Sequence, residues 1–98
     1  MNMQNLMAQA QRMQKEITKK QEEIYNTVFT GESEWVTVEM YGNKKIKKID
    51  IIYSGSLDED KDMLSDMITI ALNKAITKIE KEIESKLGAY SKQLGGLM

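Results

Sequence analysis

Cysteine and histidine are both missing from this chain of 98 residues, and so is proline. Without cysteine there is no disulfide, no thiolate nucleophile and no thiolate zinc site. Without histidine there is no Ser-His-Asp relay, no imidazole acid–base group and no imidazole metal ligand. A long apolar run is missing too. The densest stretch, Met67 to Leu72, is broken by Thr69 and is far too short to span a bilayer. The N-terminus, Met1 to Leu6, lacks the basic region and unbroken apolar segment of a signal peptide. Charge of one sign is not in excess: 14 Lys and Arg stand against 15 Asp and Glu, a net charge of −1. That balance argues against a uniformly basic nucleic-acid glove. What remains is one small domain, rich in methionine and charge, of a size at which a lone core is marginal and oligomerisation is a natural remedy. It reads as a soluble cytosolic binding or assembly module, without cofactor or metal, and not as an enzyme.

The chain divides into three parts. From about Asn2 to Tyr25, Met3, Leu6, Ala10, Met13, Ile17 and Ile24 recur at steps of three and four, with Lys20 breaking the seam. So narrow a stripe among Gln, Arg, Lys and Glu predicts a helix that pairs with another helix, part of it projecting beyond the core. The middle part, about Thr27 to Tyr53, changes period. Trp35 to Tyr41 alternates, Gly42-Asn43 predicts a two-residue hairpin turn, and Ile46 to Tyr53 follows as the partner strand. Val28 to Gly31 supplies a third short strand. Trp35 and Tyr41 alternate with Val36, Val38 and Met40, which predicts a sheet apolar on both faces, one of them covered by a second copy.

The last helix starts at a capping box, Ser56 and Glu59, with Asp58, Glu59 and Asp60 at the positive end of the dipole. It is expected to run to about Leu87, with Gly88 as its C-cap. From Met63 to Ile79 its apolar face is wide enough to cover a sheet. Beyond that only Ile83 and Leu87 continue the stripe, and the first helix is the obvious mate. The derived order is helix–strand–strand–strand–helix, an α+β arrangement whose terminal helices run together as an arm.

The segments Asn5-Leu6-Met7, Gln9-Ala10-Gln11, Met13-Gln14 and Gln21-Glu22-Glu23-Ile24, leading to Thr30-Gly31-Glu32-Ser33, resemble the opening of the YbaB/EbfC family of bacterial nucleoid-associated proteins. The resemblance continues through Val36 to Gly42, Asp60-Lys61, Met63-Leu64 and the region of Asn73, and covers roughly residues 3 to 88. Two local departures stand out. Glu34-Trp35 follows Ser33 where members often carry a glycine-rich stretch, and Tyr53-Ser54 stands where they often have Asp-Pro. The resemblance implies a single αβββα domain over residues 1–88, and residues 89–98, which hold Gly95-Gly96, are expected to form a flexible tail. The resemblance also implies a homodimer with sheets joined and helical arms projecting, which binds double-stranded DNA with little sequence preference in the nucleoid.

The basic residues cluster despite the neutral sum. Arg12, Lys15, Lys19 and Lys20 lie on the first helix, Lys44, Lys45, Lys47 and Lys48 follow the hairpin, and Lys74, Lys78 and Lys81 form a row on the last helix. The candidate phosphate contacts are Arg12, Lys15, Lys19, Lys20, Lys44, Lys45, Lys74, Lys78 and Lys81. A different reading is a protein-interaction module whose arms hold a partner in replication or recombination. Asp58, Asp60 and Asp62 open like a calcium loop, but Met63 stands where glycine is required and Thr69 where glutamate is required. These acids serve the helix start.

Overall fold

The structure is a computed structural model that describes the backbone of residues 2–53 and 55–95 and the side chains of that span up to Tyr90, Leu57 excepted. Helix α1 spans Met3–Asn26, strands β1, β2 and β3 span Val28–Glu32, Val36–Tyr41 and Ile46–Ile51, and helix α2 spans Leu57–Gly95. The strands form one antiparallel sheet in the order β1-β2-β3. This is the αβββα order expected from the sequence.

The core is built by β2 and α2. Val36, Val38 and Met40 alternate onto one face of the central strand and are buried there. Ala71, Ala75 and Ile79, one helical turn apart, cover them and are fully buried. Two of these three are alanines, so α2 sits unusually close to the sheet, and Gly31 on β1 makes that approach geometrically feasible. A Cβ at Gly31 would lie 2.0 Å from the Ala71 carbonyl oxygen and 2.6 Å from the Ala75 amide nitrogen. Phe29, paired with Met40, and Trp35 pack at the margin of the same core.

The two helices start differently. Asn2 caps α1, its side-chain oxygen accepting from the Gln4 amide at 2.9 Å. At α2 the Ser56 carbonyl accepts the amides of Glu59 and Asp60. The Asp60 carboxylate turns outward from the helix to accept from the Tyr53 hydroxyl. The Tyr53 ring leans on Trp35, with centroids 4.8 Å apart. Loss of water at this packed ring, helped by the bond to Asp60 and its negative charge, pushes the Tyr53 phenol up to about 12.

Three expectations need correction. First, α2 does not stop at Gly88 but continues to Gly95. Gly88 keeps a negative φ, and Tyr90, two residues beyond it, is held against α1, so packing overrides the glycine stop signal. Residues 96–98 of the expected tail lie outside the described residues, as does Ser54. Second, the hairpin is not a two-residue turn. Gly42 and Asn43 keep negative φ, and Lys44 alone takes the left-handed conformation at φ 69°. The Lys44 amide donates to the Tyr41 carbonyl and the Tyr41 amide to the Lys45 carbonyl, at 2.8 and 2.9 Å, closing a three-residue loop. Gly42 is needed for space: a Cβ there would lie 1.9 Å from the Ile24 carbonyl oxygen at the end of α1.

Third, the sheet is not apolar on both faces. The face away from α2 carries Thr30, Glu32, Thr37, Glu39, Lys48 and Asp50, with Val28 and Tyr41 at one end. Trp35 precedes β2 and turns to the core instead of following the alternation. The surplus apolar surface is elsewhere. Ile51 is opposite Val36, Ile49 opposite Val38 and, across a bulge, Ile46 opposite Met40. All three isoleucines therefore share the α2 face, yet α2 rests on β1 and β2 and leaves them exposed at the sheet edge.

Replacing Lys44 by Gly is expected to raise stability by about 1 kcal/mol, the cost of a left-handed residue that carries a Cβ. Replacing Gly31 or Gly42 by Ala is expected to lower it by roughly 1–3 kcal/mol through overpacking. Urea denaturation of the three variants measures these effects.

Candidate nucleic-acid interface

The 39 residues of α2 extend about 58 Å at 1.5 Å per residue. The sheet occupies only the first part of that length, so the second half projects, and the described molecule measures 70 × 22 × 15 Å. Helix α1 returns along this projection. Ile24 is buried at the base, and Lys20, Ile17 and Met13 follow it up the same side at half-buried positions. The result is the helical arm that the narrow stripe predicts.

Helical geometry puts Arg12, Lys15 and Lys19 on the side of α1 away from this seam, and all three are exposed. The first acidic residue of the chain is Glu16, so the first fifteen residues carry no negative side chain. Glu16 itself is engaged, because its Oε2 accepts from the Tyr90 hydroxyl at 3.2 Å. Lys20 departs from the row. Its Nζ donates to the same hydroxyl at 3.2 Å and sits 4.9 Å from the centroid of the Tyr90 ring. Glu16, Lys20 and Tyr90 thus clasp α1 to α2 across the arm, which gives Lys20 a structural task. Tyr90 and this clasp were not legible in the sequence, where Gly88 marked the end of the helix.

The other basic groups lie on separate surfaces. Lys44 and Lys45 are exposed at the hairpin, where Lys44 Nζ lies 4.0 Å from Glu80. Lys48 pairs with Asp50 at 3.4 Å on the polar face of the sheet. Lys74, Lys78 and Lys81 share an open groove of about 610 Å³ with Ile70 of α2 and Glu32 of β1. Lys78 spends its ammonium on the fold, donating to the Thr30 carbonyl at 2.6 Å. That carbonyl faces away from β2, since the bonds to β2 run through Thr27 and Ser33 on either side at odd-numbered positions. Lys78 therefore blocks one edge of the sheet, while the β3 edge stays open.

The exposed edge isoleucines were also missed, and the bulge explains why. Glu39 is opposite Lys48 and Met40 opposite Ile46, so Lys47 is an extra residue. Ile46 and Ile49 are three apart and break the period of two, although they end on one face. Among the described residues no group of His, Cys, Asp and Glu is arranged to hold a metal ion. No helix among them is long and apolar enough to cross a membrane.

The chain is 47% identical over 96 residues to a nucleoid-associated protein of Lactococcus lactis, covering 96% of this chain and 97% of that one. It is 44% identical to a nucleoid-associated protein of Enterococcus faecalis, covering 97% and 93%. The fold is similar to the crystal structure of the uncharacterised protein HP0035 from Helicobacter pylori, with a TM-score of 0.72 at 25% identity, covering 95% of this chain and 98% of that one. The sequence pattern of one family matches residues 1–94, nearly the whole length. With that match and these relatives, the chain belongs to the YbaB/EbfC DNA-binding family.

Proposed function

We propose that two copies of this protein join along β3 and hold duplex DNA through phosphate contacts from their arms, with little preference for base sequence, and so help to organise the nucleoid and the expression of its genes in the cytoplasm. The observation that carries the reading is the exposed row of Arg12, Lys15 and Lys19 on a projecting helix whose first fifteen residues hold no acid. Lysine and arginine on an exposed helix face suit phosphate oxygens; Arg12 bonds only the Ala8 carbonyl of its own helix, through Nε at 3.5 Å, and among the described residues no ion pair engages Lys15 or Lys19. Lys45, exposed at the hairpin, is the second contact region. Lys20 contributes through the clasp with Tyr90, which holds the row at a fixed distance from α2.

Pairing is supported by the β3 edge. Ile46, Ile49 and Ile51 are 49%, 39% and 47% exposed, and Ile52, just beyond the strand, is 80% exposed. An apolar row on an edge strand with open backbone groups is a template for another strand. A second copy of β3 satisfies those groups and brings the two isoleucine rows together. The pair then presents each basic row twice, which offsets the neutral net charge of the chain.

A second reading has its own observation. Met3, Leu6 and Met7 are 77%, 45% and 60% exposed at the tip of α1, a surface suited to a helix of another protein. Replication or recombination factors are the class of partner this reading implies.

Titrating labelled duplex at several salt concentrations separates the two. If three cations per protomer engage phosphates, log affinity falls with log salt at a slope of about −5 for the pair. Changing Arg12, Lys15 and Lys19 together to Ala is expected to flatten that slope and weaken binding without altering the fold. No binding at low salt and micromolar protein favours the protein-partner reading. Pairing is tested separately by sedimentation. The chain is expected at twice its 11.2 kDa mass, and Ile49→Glu at the single mass with unchanged circular dichroism.

A further inference from the structure

The outer side of α2 has a charge order that, Lys78 apart, the fold does not use. Asp62 and Asp66 are four residues apart, and Lys74 and Lys78 are four residues apart, so like charges adjoin along the helix. The first turn of a helix favours acids, but Asp62 and Asp66 lie beyond it. Among the described residues no ion pair engages Asp62, Asp66, Lys74 or Lys81. Between the two blocks stands Ile70, an apolar side chain 43% exposed in the groove that Lys74 and Lys81 line.

The blocks are complementary about that isoleucine. Asp66 and Lys74 lie four residues to either side of Ile70, Asp62 and Lys78 eight, and Glu59 and Lys81 eleven. If a second α2 is laid antiparallel across the first with the two Ile70 side chains meeting, Asp66 and Glu59 come level with Lys74 and Lys81 of the other copy, while Asp62 and Lys78, about 80° round the helix from Ile70, flank the contact. A two-fold contact of this kind uses one patch twice. The arrangement cannot form within one chain, because a helix cannot fold back on itself, and the same charges that repel along one helix attract between two.

We infer that this face is a self-association surface, in which α2 of one copy pairs antiparallel with α2 of another around Ile70. Glu32, at the rim of the groove, sets the approach by repelling the incoming acids from the β1 side. The contact is distinct from the β3 edge, because Lys78 closes the groove against β1, at the opposite side of the sheet. A protomer with two different two-fold contacts links pairs into chains, and on DNA it would set pairs side by side. Lys74 and Lys81 then serve protein contact and not phosphate. The contact needs no DNA, so its failure and that of the DNA-binding reading are separate results.

The absence of cysteine makes the test clean. Ile70→Cys puts a single thiol per chain on the two-fold axis, where the Cβ atoms of an antiparallel pair approach disulfide range. Under mild oxidation at low salt this variant is expected to form the covalent pair at least tenfold faster than Gln11→Cys, a control on the outer side of α1. In the same background Asp66→Lys alone or Lys74→Asp alone is expected to slow cross-linking about tenfold, and the two together to restore it. Cross-linking no faster than the control overturns the assignment. So does a single reversal without effect, or a double reversal that does not recover while circular dichroism shows the fold intact.

Discussion

The close seating of α2 on the sheet governs the rest of the molecule. Gly31 lets the helix backbone come down over β1, and Ala71 and Ala75 keep it there above Val36, Val38 and Met40. A helix held this near the sheet cannot also reach across to β3, so the isoleucines of β3 stay uncovered although they share the core face. The same seating fixes the direction of the remaining turns, which leave the sheet and meet α1. The core, the open edge and the arm follow from one contact that tolerates no side chain at Gly31.

The broad plan was legible because each element carries a strong local signal. The steps of three and four in α1, the alternation from Val36 to Met40, and the acids at the start of α2 each point to one structure, and all three are present. The wide apolar half of α2 and the narrow half also divided as expected, one on the sheet and one beside α1. What was not legible depends on contacts between distant residues. Gly88 has the form of a stop signal, but Tyr90 is tied to Glu16 and Lys20, 74 and 70 positions away in the chain, and the helix runs through. Gly42-Asn43 has the form of a tight turn, but the glycine is there to clear Ile24, and the left-handed position falls on Lys44. The bulge at Lys47 hid the edge row by breaking its period.

For the basic residues, the sequence grouped by neighbourhood what the structure separates by task. Lys20 joins the arm clasp, Lys78 caps the free carbonyl of β1, and Lys48 is paired across the polar face. Arg12, whose Nε reaches only the Ala8 carbonyl of its own helix, Lys15 and Lys19 stay exposed on the outside of the arm and link it to no other element. A chain of net charge −1 thus keeps a local positive row because most of its acids lie on α2 and the sheet, with Glu22 and Glu23 three and four residues beyond Lys19 at the base of α1. Helix separation on this scale matters for binding because, at physiological salt, charges more than about 8 Å away are largely screened.

The division of surfaces is tested most directly by amide chemical-shift changes on adding a short duplex at low salt. The largest changes are predicted along α1 from Arg12 to Lys19 and at Lys45, with the outer side of α2 around Ile70 and Lys74 unaffected at protein concentrations too low for self-association. Changes centred on the outer side of α2, with α1 undisturbed, would contradict the assignment of DNA to the arm.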